Sequence, residues 1–281
     1  MRNCENIDTF VAQRSEKQKH KDASCNMKPI VMGILNCTPD SFYEGSRMQT
    51  EYEIEARAEQ IISEGGSIID VGAYSTRPGA TEVSQDEEMR RLRMALTAIR
   101  RRHSKATLSV DTFRAEVAQM AVEEFGVELI NDVTEGADDR MFATVARLKA
   151  GYVLMSVQPD IDSMVEHFRE EVDELQVLGV ERIILDPGFG FGKTPVVEGN
   201  YRVLDGMQRL REEFPELPVL AGVSRKRMVW QLLDCSPNDA TALQGTMLLN
   251  LLALERGAGI LRVHDVKEAV NTIKVYEALN L

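Results

Sequence analysis

The sequence predicts an α/β protein built as a single closed (β/α)8 barrel of the TIM type. Eight short apolar runs follow one another along the chain, each trailed by residues at helical spacing. The runs are almost uninterrupted, without the alternation of a strand that has one wet face, so both faces are expected to be buried. Each run also stops abruptly at hydrogen-bonding side chains, as barrel strands do at the end that carries chemistry. The competing arrangement is an open doubly wound sheet. Against it, no G-x-G-x-x-G follows the first run, so the usual dinucleotide cradle is missing.

Composition narrows the function before any motif is read. A chain of 281 residues can bury one large core. The formal net charge of -12 argues against nucleic acid, since no basic stripe exists to neutralise phosphates. An anionic ligand would therefore have to be held by local cations, helix N-termini or a metal. No apolar run approaches the ~20 residues of a membrane span, and the start of the chain lacks the apolar centre of a secretory signal, so a soluble cytoplasmic protein is expected. Cys4, Cys25, Cys37 and Cys235 show no C-x-x-C spacing and read as free thiols.

In chain order, residues 1–28 are polar and read as a mobile tail, with a solvated basic patch at 17–21; the barrel domain is expected over 29–281. The first strand, 31–35, ends in Asn36, Thr38, Pro39, Asp40 and Ser41, which force the chain out of the core. A helix over 51–64 follows, closing at Gly65 and Gly66, as helix C-termini commonly do. Strand 67–72 leads to a loop punctuated by Pro78 and Gly79, then to a long charged helix over 85–103. The remaining strands are expected at 107–110, 127–130, 152–155, 182–185, 217–223 and 259–263. Helices are expected between and after them at 114–124, 140–149, 161–178, 197–214, 240–256 and 266–278.

A barrel gathers its strand ends on one face, so Asn36, Asp111, Asn131, Asp186, Lys226, Arg262 and His264 are expected around one pocket. Each alone has a duller reading: Asp111 can cap a helix, Asn131 and Asp132 can turn the chain, and Asp186 before Pro187 favours a turn. Arg262 and His264 are alternate residues of one strand and leave on the same face, where they can clamp an anion. With the oxygen of Asn36 open to a hard cation such as Mg2+, this suggests a pyrophosphate-like group. Asp111, Asn131 and Asp186 supply acceptors and an amide, which suit a flat, donor-rich heterocycle. His20, His103 and His167 have no such company. The stretch GFGFGKT at 188–194 imitates a phosphate-binding P-loop, but Pro187 stands where that motif needs glycine. Its glycines fit a loop lying close to a ligand, with Phe189 and Phe191 offering aromatic faces.

Seven segments in order carry a family resemblance: MGILNCTPDSF from Met32, IIDVGAYSTRPGA from Ile68, SVDTFRAEV from Ser109, INDV from Ile130, ILDPGFGFGKT from Ile184, GVSRK from Gly222 and RVHDV from Arg262. Over essentially everything from Pro29 to Leu279 the chain resembles the dihydropteroate synthases, folate-pathway transferases and sulfonamide targets. The resemblance implies a homodimeric barrel that joins 6-hydroxymethyl-7,8-dihydropterin pyrophosphate to 4-aminobenzoate. It implies that Asn36 helps hold Mg2+ and pyrophosphate, and that Arg262 and His264 grip that leaving group. Asp111, Asn131 and Asp186 would bind the pterin, Met155 and Arg262 would pack on its faces, and Lys226 and Gly222 would line the substrate site. Thr76 and Arg77, on a loop closing over the centre, would join Asn36, Asp111 and Lys226 in catalysis. Phe42, Pro78 and Phe191 would shape the aminobenzoate pocket.

Three departures stand out from the family wording: Arg227 replaces a small Ser, Ser156 follows Met155 where His is frequent, and Ala73-Tyr74 replaces a Gly-Glu pair. Arg227 lies near the expected aminobenzoate carboxylate, which a long cation either pairs, charge replacing a hydroxyl hydrogen bond, or crowds; pairing is the expectation. A pterin-binding methyltransferase barrel and a non-catalytic homologue are the alternative readings. Ser75–Ala80 and the Ser224-Arg225-Lys226 run favour the synthase over the methyltransferase.

Overall fold

Strand β1 (Ile30–Asn36) opens the architecture, and its run of five buried residues is what a strand covered on both faces requires. In a computed structural model, residues 28–37, 50–74, 83–191 and 197–279 are described. The expectations for the polar N-terminal tail, for Phe42, and for Thr76, Arg77 and Pro78 lie outside the described residues.

Eight parallel strands close in sequence order, β8 (Ala258–Val263) returning to pair with β1. Between them come β2 (Ile68–Gly72), β3 (Leu108–Asp111), β4 (Leu129–Asp132), β5 (Gly151–Met155), β6 (Ile183–Asp186) and β7 (Val219–Ala221). The helices among the described residues are α1 (Glu51–Ser63), α2 (Gln85–Arg102), α3 (Ala115–Phe125), α4 (Met141–Leu148), α5 (Ile161–Val177), α6 (Glu198–Gly206), α7 (Gln208–Glu213), α8 (Arg227–Leu232), α9 (Ala240–Glu255) and α10 (Val266–Leu279). The expected barrel is therefore the observed one.

Two apolar clusters explain the strand pattern. The larger lies between the outer strand faces and the helices, and includes Leu35, Val71, Val110, Leu154 and Leu185. The smaller fills the barrel interior with Met32, Ile68, Leu129, Val153, Ile184, Leu220 and Ile260, one residue from every strand except β3. Burying a side chain of this size contributes about 1.5–3 kcal/mol, so the interior plug makes a solid floor rather than a pore. On β3 the interior position is taken by the buried Ser109.

Helix signals are local and conventional. Thr50 and Glu53 form a reciprocal capping box at the start of α1, and Ser84 caps α2. Three details differ from the sequence-based expectation. The 197–214 helix is two helices, because at Met207 the bonding tightens to Met207 N–H to Leu204 and Leu210 N–H to Met207, both three residues back. Strand β7 is only three residues long, following Pro218, which has no N–H to donate, and its pairing with β8 slips between Val219 and Leu220. Helix α8 was not expected at all; six residues are too few to display a helical period.

Candidate functional site

Register places the strand-end residues side by side. Asn36 pairs with Gly72, Gly72 with Asp111, and Asp111 with Asn131, giving one lateral row across β1 to β4. Met155 likewise pairs with Asp186 on the opposite wall. Paired positions in a parallel sheet share a face, so all these side chains project into the barrel mouth. Gly72 is the gap in the row: a Cβ there would stand 3.1 Å from Asn36 Oδ1 and 3.6 Å from Asp111 Cβ. Its missing side chain lets the two polar groups approach.

Arg262 ties the walls together. Its Nε donates to Asp70 Oδ2 at 2.7 Å and its Nη2 to Asp111 Oδ2 at 2.6 Å. Two carboxylates around one guanidinium hold it charged and fix its plane. Burial pushes the Asp111 carboxyl up to about 7, against the pull of Arg262 and with the neighbouring Asp70 adding to the rise. Asp111 thus binds into the pocket and does not cap α3; Asp138 accepts from Ala115 N there, at 3.0 Å. Asn131 also faces inward, while Asp132 makes the turn, accepting from Thr134 N at 2.8 Å and from the Tyr152 hydroxyl at 2.7 Å.

On the far wall, Asp186 Oδ1 accepts from Gly188 N at 2.8 Å, which fixes the carboxylate at the β6 end. Gly188 has φ 68, and a Cβ there would fall 2.0 Å from the Ser156 carbonyl, so this turn admits no other residue. Burial raises the Asp186 carboxyl, and Lys226 opposes that rise. Burial lowers Lys226 to about 8, Asp186 opposing. Lys226 Nζ donates to the Phe189 carbonyl and stands 4.6 Å from the centroid of the Phe191 ring. Phe191 therefore stands beside Lys226, whereas Phe189 is buried in the outer core and offers no face to a ligand. Gly222 sits beneath Lys226, a Cβ on it lying 3.7 Å from Nζ.

His264 completes the cationic side. Burial, then Arg262, Arg57, Arg225 and Lys226, push its imidazole down to about 3, so it is neutral at ordinary pH within a ring of positive charge. These groups give the mouth a local concentration of donors within an acidic chain.

Sequence reasoning missed three contributors. Asp70 is fully buried in the middle of β2 and binds both Arg262 and Asn131. An acid at the interior position between Ile68 and Gly72 was the signal that could have found it. Arg57, on α1, donates to the carbonyl of Ile34 at 3.3 Å and to that of His264, joining β1 to β8. Arg225 holds Asp265 through two bonds, at 2.7 and 3.0 Å, and so locks the Lys226 loop against the His264 loop. No local pattern announces either arginine.

Asp70 Oδ1, Ser109 Oγ and Asn131 Oδ1 are buried without a hydrogen-bond partner among the described residues. They lie on adjacent strands, Ser109 level with Leu129 of the apolar floor, Asp70 and Asn131 two residues beyond the floor residues Ile68 and Leu129 of their own strands. Buried polar atoms in this state mark a place where a polar ligand or ordered water completes the bonding.

The Pterin binding enzyme family model matches residues 32–264, which includes every strand end in the mouth. The dihydropteroate synthase of Escherichia coli (strain K12) is 37% identical over 265 residues, covering 89% of this chain and 91% of its own. The Yersinia pestis dihydropteroate synthase, solved as a sulfonamide drug complex, superposes with TM-score 0.81 at 35% identity, covering 90% of this chain and 94% of that one. The Coxiella burnetii dihydropteroate synthase, solved with pteroic acid, gives TM-score 0.80 at 32% identity over 90% and 93% of the two chains. Site geometry, family match and whole-chain likeness agree: the chain belongs to the pterin-binding enzymes, within their dihydropteroate synthase family.

Proposed function

We propose that the mouth of this barrel joins 6-hydroxymethyl-7,8-dihydropterin pyrophosphate to 4-aminobenzoate, releasing pyrophosphate and 7,8-dihydropteroate. The carrying observation is the meeting of two kinds of chemistry around one opening. Asp111 and Asn131 on one wall and Asp186 on the other present acceptors, and between them Lys226, Arg262 and the neutral His264, backed by Arg57 and Arg225, present donors. A donor-rich bicyclic ring suits the first and a diphosphate the second. The Coxiella burnetii relative bound to pteroic acid, which contains both halves of the product, supports a single site for both substrates.

The residues favour charge stabilisation over covalent catalysis. Cys37, the described thiol beside the site, is pushed up to about 12 by burial and is no nucleophile. Arg262, Lys226 and the neutral His264 N–H are placed to stabilise the departing diphosphate, while the acceptors hold the ring whose exocyclic carbon is left cationic. The aromatic amine then attacks that carbon. Mg2+, when bound, would neutralise charge on the leaving group. The Asn36 oxygen and the diphosphate itself would hold that ion.

Arg227, the exposed first residue of α8 beside Lys226, makes no ion pair with a described carboxylate and is assigned to the aminobenzoate carboxylate. The chain is further read as a cytoplasmic homodimer; no described helix is long and apolar enough to cross a membrane. The test is pyrophosphate release. It is expected only when 4-aminobenzoate is present, to vanish in Asp186→Ala, and to show a raised aminobenzoate KM in Arg227→Ser. Release without aminobenzoate, or none at all, sinks the reading; an unchanged KM removes Arg227 from it.

A further inference from the structure

The buried carboxylate of Asp70 has a role that neither its strand nor its ion pair alone requires. It lies in the barrel interior one step above the apolar floor, where an unpaired charge would cost several kcal/mol. Arg262 supplies the pairing, with Nε and Nη2 both 2.7 Å from Asp70 Oδ2. The same oxygen also accepts from Asn131 Nδ2 at 3.2 Å. Among the described residues this is the only hydrogen bond that the Asn131 side chain makes.

The chemistry of the partners decides which way the amide faces. A carboxylate locked onto a guanidinium accepts and does not donate, so the Asn131 atom turned toward it must be the NH2 group. The amide oxygen is then turned away from Asp70, and it is buried with no partner among the described residues. With the amide flipped, its oxygen would face the carboxylate and its donors would face the pocket. Asp70 is thus the described group that separates these two states.

We propose that Asp70 is a positioning residue that holds the Asn131 amide with its oxygen toward the ligand, so that the pocket selects a heterocycle edge that donates over one that accepts. The inference rests on the pterin reading and adds the origin of its polarity. Asp70 touches no reacting atom; it acts through Asn131 and Arg262.

The probes are 6-hydroxymethylpterin and 6-hydroxymethyllumazine, in which a carbonyl acceptor replaces the 2-amino donor, titrated calorimetrically into the full chain. Wild type is expected to prefer the pterin by roughly tenfold or more, since a site built for a donor rejects an acceptor. Asp70→Ala frees the amide to rotate, and the preference should fall by about threefold or more, the carboxylates Asp111 and Asp186 retaining the rest. Asp70→Asn should keep it, because Arg262 has only donors and turns the new amide's oxygen inward, where it also serves Asn131. General destabilisation would weaken both probes together and leave their ratio alone. An unchanged ratio in Asp70→Ala, or a lost ratio in Asp70→Asn, overturns the assignment. Should Asp70→Ala be unfolded by circular dichroism, Asp70→Ser, too short to reach Asn131, replaces it with the same two outcomes. Wild type binding neither probe would instead overturn the pterin reading itself, and this inference with it.

Discussion

Asp111 meets two opposing influences, and their balance makes it the group through which pH should act on ligand binding. Burial lifts its carboxyl to about 7, while Arg262, 2.6 Å away, keeps the ionised form within reach. A ligand that donates to this carboxylate stabilises the ionised form and lowers its pKa. Affinity for a pterin should therefore rise as pH increases toward about 7 and level off above it. Below 7 the ligand must displace a proton, so two pH units should cost up to about 100-fold in affinity. Calorimetry from pH 5 to 8 would show this slope, with proton release near pH 7, and both should disappear in Asp111→Asn. A wild-type profile already flat across that range would show that Asp111 does not accept from the ligand. At this scale the sequence displayed the polar side chains that end strands, because each breaks an apolar run. It hid Asp70, which sits inside such a run, and it hid the arginines whose partners are far away in sequence. Phe189 was misread for the opposite reason: a glycine-rich surrounding suggested exposure, but the turn at Gly188 carries the ring into the core.

Elements are held to one another by a few buried charges rather than by the many surface pairs. Exposed pairs such as Arg93 with Glu124 are screened by solvent and add little to stability. Glu88 on α2 is different: it is fully buried, bonded by the Thr112 hydroxyl at 2.7 Å and by Arg114 just ahead of α3. Arg114 also donates to the Val83 carbonyl at 2.9 Å and stacks 5.2 Å from the Tyr74 ring centroid, so it touches the residues on both sides of 75–82. Removing it leaves Glu88 buried and unpaired, a loss of about 3–5 kcal/mol. Arg114→Ala should therefore lower the denaturation midpoint sharply, and adding Glu88→Gln should return much of the loss by removing the orphaned charge. Additive losses in the double variant would show that the pair is not what stabilises the α2–α3 contact. Neither partner advertised this brace, since Glu88 reads as one more acid in a charged first turn. Most helices and strands were legible because period and length agreed. The exceptions, β7, α8 and the break at Met207, are all too short or too local for a period to be seen.

Across the whole molecule, the placement of apolar surface argues for a partner. Most helices show a buried stripe and a polar outer face, but α9, ATALQGTMLLNLLALE, is apolar nearly all round. Its inner side packs through Leu249, Ala253 and Leu254, while Leu248 and Leu252, one turn apart, face outward with Leu248 65% exposed. Adjacent α10 adds exposed Val275 and Leu279, also one turn apart. These helices cover β8 and β1 from outside the barrel, away from the mouth, so a second copy docking there would leave the substrate opening clear. A net charge of -12 repels copies at long range, which means that a stable dimer must rest on this apolar contact rather than on steering. Leu248→Lys with Leu252→Lys should then convert a dimer into a monomer in sedimentation experiments, without altering pterin affinity, because neither residue approaches the strand ends. A wild-type chain that sediments as a monomer at micromolar concentration would leave the outer face of α9 without this explanation. A dimer that survives both lysines would move the interface to another face of the barrel.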